Sequence, residues 1–260
     1  MTSDHGPQFI SSAANPQLKA LRKLAQDNTA YRSAGRVWLE GDHLCRAALQ
    51  RGLQPELAVF SEELWPQELE KWASSSTKII VIPPALFAGL SALESPARMG
   101  CVLVLPHRAA MDPLLNSVVL DRVQDAGNVG SILRSAAAFG FAQVLALKGT
   151  AALWSPKVLR SGMGAHFGLT LHEGLDVADL EALQIPLLVT SSHDGALIHE
   201  QRLPRPCAWV MGHEGQGVGE GLMQRASLRL RIGQPGGEES LNVAAAAAIC
   251  LHASASASQP

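Results

Sequence analysis

SVVLDRVQDAGNVGSILRSAAAFG, residues 117–140, sets the fold class. Ser117 to Leu120 has the β-branched and apolar make-up of a buried strand. Gly127 and Gly130 then permit tight backbone turns and close approach of a ligand. A helical pattern follows from about Asn128, a candidate cap, to Phe139, and Gly140 closes it. The same order recurs downstream. Apolar strands are expected at Gln143–Leu147, Pro186–Thr190, Ala208–Met211 and Leu228–Ile232, with a last helix starting near Ser240 and running through Val243–His252. Strands alternating with helices build an α/β domain on a mainly parallel sheet, whose ligands bind beyond the carboxyl ends of the strands.

Upstream of this unit, HRAAMDP (residues 107–113) is polar and contains a proline, so it reads as a linker. Before it, Asn15 followed by Pro16 predicts a helix start: an Asn side chain caps free amides, and proline at the first helical position loses no hydrogen bond. Leu18, Leu21 and Leu24 then fall on one face, with Lys19, Arg22 and Lys23 largely on the other. A second helix is expected from a cap at Asp42 to near Gly52. Strands at Leu57–Phe60, Ile79–Ile82 and Cys101–Leu105, with a helical pattern around Glu62–Ala73, complete a small α/β domain. The expected organisation is a domain over 1–106, the linker at 107–113, the second domain over 114–252 and a frayed or disordered tail at 253–260.

Composition narrows the function. A net charge of −2 excludes a globally basic nucleic-acid binder and leaves room for a local basic face, for which Lys19, Arg22, Lys23, Arg32 and Arg36 are the candidates. Cys45, Cys101, Cys207 and Cys250 form no CxxC pair, which suggests neither disulfides nor zinc and fits a reducing cytoplasm. Nine histidines without ligand spacing argue against a metal. The opening MTSDHGPQF lacks a cationic start and does not read as a signal peptide. Val243–Leu251, the longest apolar stretch, is half of what a membrane span needs, so none is expected.

Two further glycine-containing loops follow expected strands. VMGHEGQGVGEG, Val210 to Gly221, holds five glycines in twelve residues but neither a G-x-G-x-x-G fingerprint nor a P-loop lysine, which disfavours a phosphate cradle. Glu214 in it is a candidate ligand residue, although a solvated turn carboxylate is the plainer reading. IGQPGGEESLNVAAAA, Ile232 to Ala247, places Ser240 or Asn242 at a helix start. There is no G-x-S-x-G elbow, no H-E-x-x-H and no Walker motif, and His193–Asp194 reads as a turn.

In this order, the three loops resemble the signature motifs of the SpoU family of RNA ribose methyltransferases, within the SPOUT superfamily. The first loop carries the resemblance through Asn128, Gly130, Arg134 and Phe139-Gly140. The second does so through Gly212, Glu214, Gly215 and Gly217, and the third through Glu239, Ser240, Leu241, Asn242 and Val243. SPKVLRSGMGAHF, residues 155–167, is similar to the family's segment between the first two motifs. ISSAANPQLKALRKL and VWLEGDHL, with Leu39-Glu40-Gly41, resemble the small L7Ae-like α/β substrate-binding domain that precedes the catalytic domain in many members directed at ribosomal RNA. The resemblance covers about Ile10 to Leu251. It implies a C-terminal SPOUT domain with a deep trefoil knot, S-adenosylmethionine as cofactor held bent in that knot, and a homodimer.

The activity so implied is methyl transfer to a ribose 2′-oxygen of RNA, with ribosomal RNA favoured over transfer RNA. Arg134 is the residue the resemblance places at the reacting oxygen. A guanidinium stays protonated, so we read it as a fixed cation rather than a base. Asn128 and Glu214 are expected to orient that arginine and the RNA, and Ser240 and Asn242 to hold the substrate side. Gly212, Ile232 and Leu241, with Met211 and Gly217, are expected to hold the cofactor. Three departures stand out: Asp125 is followed by Ala126-Gly127 where proline is common, Ile232-Gly233-Gln234 replaces a frequent Ile-Pro-Met, and Gly162 replaces a small hydroxyl residue. Two other classes compete, a non-catalytic RNA-binding module and a nucleotide enzyme on a doubly wound sheet. The set Arg134, Glu214, Ser240 and Asn242 argues against the first, and the missing dinucleotide fingerprint against the second.

Overall fold

The structure is a computed structural model that describes residues 6–72, 77–106, 109–191, 194–237 and 240–256, with backbone alone at 69–72. Glu239, His193 and the ends 1–5 and 257–260 lie outside the described residues.

The chain divides into two compact units. The first opens with β1 (Gln8–Phe9), α1 (Pro16–Gln26), α2 (Ala30–Ala34), β2 (Arg36–Glu40) and α3 (Asp42–Gln50). It continues through β3 (Leu57–Ser61), α4 (Trp65–Trp72), β4 (Lys78–Ile82), α5 (Pro84–Leu90) and β5 (Met99–Val104). As expected, Asn15 caps α1, its side chain accepting from the Gln17 N–H, and Leu18 and Leu21 are buried. The expected cap at Asp42 is displaced by one residue. Gly41 is the N-cap of α3, at φ 95°, and Asp42 lies in the first turn, where its charge faces the helix's positive end. The five strands form one sheet in the order β1-β4-β3-β5-β2, parallel on the β1-β4-β3 side and antiparallel where β5 pairs β3 and β2. Ile10, Leu18, Leu21, Trp38, Val59, Ile80, Phe87 and Val102 pack into its core.

The second unit begins with β6 (Ser117–Leu120), α6 (Ala126–Ala138) and β7 (Gln143–Leu147). Next in the chain is α7 (Pro156–Gly162). The unit then continues with β8 (Thr170–Leu175), β9 (Leu187–Thr190), β10 (Ala196–Leu197), β11 (Ala208–Met211), α8 (Glu220–Arg225), β12 (Leu228–Arg231) and α9 (Val243–Ser256). Its seven strands run β10-β12-β9-β11-β6-β7-β8, every pair parallel. The chain leaves β6 towards β7 and β8 on one side and later returns to fill the other. The crevice beside β6 is therefore where strand order reverses, the position that binds ligands in open parallel sheets.

Three expectations are corrected. The helix after β6 starts at Ala126, not at Asn128, because Asp125 is its N-cap and accepts from the Asn128 N–H. Trp154–Phe167, assigned from sequence to the second domain, belongs to the first compact unit, where α7 packs on β2 and α1. Ala253–Ser256 are helical, not a frayed tail: Ser254 is 1% exposed and accepts a 2.8 Å hydrogen bond from Trp209 Nε1. The structure also gives Gly162 a reason, since a Cβ there would lie 2.5 Å from the His166 imidazole. The four cysteines are buried and free. Among the described residues no helix is long and apolar enough to cross a membrane.

Candidate active site

β6 and β11 are hydrogen-bonded neighbours, so the loops that follow them emerge side by side. Asp121, the first residue after β6, is 3% exposed and takes three hydrogen bonds. Arg122 donates two, at 2.9 and 3.2 Å, and the Gly219 N–H donates the third at 2.7 Å. Arg122 also reaches the Gln216 side chain at 3.0 Å, from a backbone with φ 58° that few non-glycine residues adopt. This strap between the first and second loops was not read from the sequence, where Asp121 and Arg122 look like ordinary post-strand polar residues.

The second loop folds onto itself. The His213 and Gly217 backbones exchange hydrogen bonds, and His213 Nδ1 accepts from the Gly215 and Gln216 N–H groups. Gly212 must lack a side chain, because a Cβ there would stand 2.4 Å from the Gly217 carbonyl carbon and the Val218 nitrogen. That contact is with backbone, which cannot rotate aside.

Glu214 projects from this loop to the start of α6. Its carboxylate accepts from the Gln124 and Asp125 N–H groups at 3.2 and 3.0 Å and from Asn128 Nδ2 at 3.1 Å. Asn128 Oδ1 in turn accepts from Asn242 Nδ2 at 3.0 Å, and Asn242 Oδ1 caps α9 through the Ala244 and Ala245 N–H groups. One unbroken line of hydrogen bonds thus joins all three glycine-containing loops. Partial burial would raise the Glu214 pKa, but the bonds from Asn128, Asp125 and Gln124 outweigh it and hold the carboxyl down to about 2.

Beside this line lies a cleft of about 430 Å³, within the size range of small-molecule sites. Thr190, Ser191, Gly212–Val218, Met223, Ile232, Gln234, Ser240, Leu241, Val243 and Ala246 line it. The sequence-derived candidates Gly212, Glu214, Gly217, Ile232, Ser240 and Leu241 therefore converge there. Met211 does not: it is 1% exposed and packed within the sheet. Arg134 is on α6, exposed, with no hydrogen bond or ion pair among the described residues. Neither Asn128 nor Glu214 hydrogen-bonds its side chain. Six helical positions separate Asn128 from Arg134, about 120° around the axis, so the two side chains leave α6 on different faces. Among the described residues no group of three or more His, Cys, Asp or Glu is placed to hold a metal.

Of the proposed RNA-binding cations, Lys19, Arg22 and Lys23 share a shallow concavity on α1 with Gln26 and Asp27. Arg22 donates to the Gly89 carbonyl at 2.9 Å. Arg36 shares a second groove with Lys23 and is already paired, with its fork on the Glu56 carboxylate at 2.6 and 3.1 Å. Arg32 leans over the Tyr31 ring, 5.6 Å from its centroid.

A parallel sheet with strand order reversing at β6, glycine-built loops at that point and a cleft without a phosphate fingerprint defines a small-molecule-binding α/β domain with its own appended sheet domain. The model of the SpoU rRNA Methylase family matches residues 116–252, and that of the MRM3-like substrate binding domain matches residues 15–100. The chain belongs to the SpoU rRNA methylase family. It is similar to the Bacillus subtilis 23S rRNA (guanosine(2553)-2′-O)-methyltransferase RlmP, at 30% identity over 94% of this chain and 97% of that protein. Zebrafish (Danio rerio) mitochondrial rRNA methyltransferase 3A is 36% identical over 65% of this chain, which spans only 40% of that protein. A crystal structure of an RNA 2′-O ribose methyltransferase superposes with a TM-score of 0.79 at 30% identity, covering 95% of this chain and 98% of that one.

Proposed function

We propose that the chain is an S-adenosylmethionine-dependent methyltransferase that modifies a ribose 2′-oxygen of ribosomal RNA, working as a cytoplasmic homodimer. The observation that carries this reading is the line Glu214–Asn128–Asn242, which locks three loops around one cleft where strand order reverses. Membership of the SpoU family and the names of the two relatives support the choice of RNA. Membership of the family supports the knotted topology that the resemblance implies.

The cleft fits the cofactor. Gly212 brings bare backbone to its wall, Met223, Ile232, Leu241, Val243 and Ala246 supply apolar surface, and Gln234 offers a buried carbonyl oxygen that no described residue satisfies. S-adenosylmethionine, when bound, supplies an electrophilic methyl group on a sulfonium. The protein's own part is positioning and charge. Ser240 and the backbone of the second loop border the space in which the ribose must be aligned, and fixed alignment supplies much of the rate of such transfers. Arg134, unpaired among the described residues, is available to bind the adjoining RNA phosphate and lower the energy of the forming alkoxide.

Arg134→Lys keeps the charge and loses the planar fork. As a fixed cation, Arg134 predicts a loss of about 10-fold or more in single-turnover methylation for Arg134→Lys, and a larger one for Arg134→Ala, with S-adenosylhomocysteine affinity unchanged. A lysine variant matching the parent near neutral pH shows instead that the residue acts as a base, since lysine's lower pKa would favour that role.

A further inference from the structure

Arg122 lies outside the cleft, beside a separate hollow that Lys148, Asp176 and Leu222 also line. Its backbone is left-handed, with φ 58°, a conformation that disfavours any residue with a Cβ. Such strain persists where neighbouring contacts enforce it, and it gathers at functional sites. Two glycines make room for the side chain: a Cβ at Gly149 would lie 3.1 Å from Arg122 Cγ, and one at Gly219 would lie 3.4 Å from Arg122 Nη2. The guanidinium then spans two partners. Nε and Nη2 donate to the buried Asp121 carboxylate, while Nη1 donates to Gln216 Oε1. Asp121 carries the reach further, because its Oδ2 also accepts from the Gly219 N–H.

Both contacts end on the second loop, which lines the cleft from Gly212 to Val218. Five glycines between Gly212 and Gly221 leave that backbone many conformations, so ordering it around a ligand costs conformational entropy. A loop fixed in advance avoids that cost and binds more tightly. Glu214 fastens the loop to the start of α6, and Arg122 with Asp121 fastens it again at Gln216 and Gly219. Resting on the cofactor reading above, we propose that Arg122 is a positioning residue of the methyl transfer: from outside the cleft, its fork ties Gln216 to Asp121 and holds the second loop in the shape that receives the cofactor.

Arg122→Lys separates the two ends of the fork. One ammonium keeps the counter-charge of Asp121, which protects the fold, but it lacks the planar fork and gives up Gln216. Gln216→Met breaks the same arm from its other end, at an exposed position. In calorimetry of the full chain, each variant is expected to bind S-adenosylhomocysteine about 10-fold more weakly than the parent, with the parent's number of sites per chain. The double variant is expected to bind within about 2-fold of the weaker single one, since its second change removes a bond already lost. In steady-state methylation of a ribosomal RNA fragment, Arg122→Lys should raise the KM for S-adenosylmethionine about 10-fold and lower kcat by less than about 3-fold, the mark of lost ground-state binding. Parental affinity in Arg122→Lys overturns the proposal, as does a loss of sites at unchanged affinity, which is damage to the fold alone. Losses that multiply to about 100-fold in the double variant overturn it too, because the two residues then act independently. In each of these cases the parent still binds, and the cofactor reading stands; a parent that fails to bind S-adenosylhomocysteine overturns both. Should Arg122→Lys not fold, Arg122→Asn takes its place in the same comparison, being tolerant of left-handed backbone and too short to reach Gln216.

Discussion

Glu214 shows how one carboxylate organises the site. It accepts from two backbone N–H groups and one side-chain amide, and protonation removes that capacity. Its folded pKa of about 2 lies below the ordinary 4.5, so its contribution is fully present above pH 4.5 and is lost as pH falls towards 2. Glu214→Gln substitutes an NH2 group for one acceptor, which then opposes a loop N–H. We expect this variant to be about 1 kcal/mol less stable than the parent near neutral pH by urea unfolding, a modest figure because the group is solvent-exposed. The gap should close between pH 4.5 and 2; a gap independent of pH would refute the charge-based account. Gly212→Ala is a steric counterpart. Its Cβ would collide with Gly217 and Val218, so the loop must shift, and S-adenosylhomocysteine affinity should fall by 10-fold or more in calorimetry, on the order of 1.4 kcal/mol. The sequence named Glu214 and Gly212 because residue type and motif survive in one dimension. Their partners across the fold did not show, since the pairing of Glu214 with the Asp125 amide depends on β6 and β11 being neighbours.

Helix starts are legible where one capping residue stands alone and ambiguous where two compete. Asn15-Pro16 was legible because cap and proline adjoin, and Ser155-Pro156 carries the same signal for α7, whose Ser155 side chain accepts from the Val158 N–H. α6 was placed late because Asn128 and Asp125 are both capping residues three apart, and only geometry shows which one accepts. β8 is barely legible in the sequence because its burial is partial and it lies at a sheet edge, which weakens the apolar signal, and β2 shows only as part of a motif. Strands at the sheet centre, such as β6, β7 and β11, are buried along their whole length and read as continuous apolar runs. Caps also yield a test that separates stability from catalysis. Asp125→Ala frees the Asn128 N–H at the start of α6, and should cost about 1 kcal/mol in thermal or urea unfolding, as N-cap losses do. Asn242→Ala removes both the α9 cap and the bond to Asn128, so it should match that loss and in addition weaken S-adenosylhomocysteine binding. Equal cofactor affinity in the two variants would show that the inter-loop bond does not shape the cleft.

Over the whole chain, the net charge of −2 makes any attraction to RNA a matter of local arrangement rather than total charge. α1 offers such an arrangement, with Lys19 and Lys23 exposed beside Arg22, whereas Arg36 is neutralised by Glu56. Deleting the N-terminal unit is a poor way to ask whether these cations bind phosphate. Trp154–Phe167 packs in that same unit and would lose its partners, so a loss of function would carry two explanations. Charge reversal at two exposed positions avoids this. Lys19→Glu with Lys23→Glu leaves the buried face of α1, Leu18, Leu21 and Ala25, untouched. If both lysines contact phosphate, affinity for a ribosomal RNA fragment should drop, and the slope of log K against log salt should become shallower by about 1.4 to 1.8, because each contact releases about 0.7 to 0.9 counterions. S-adenosylhomocysteine affinity should not change. Arg36→Ala should alter the salt slope little, since its charge is already spent on Glu56. A slope that is unchanged in the double lysine variant but shallower in Arg36→Ala would shift the RNA contact from α1 to the surface around Arg36, Glu56 and Lys78.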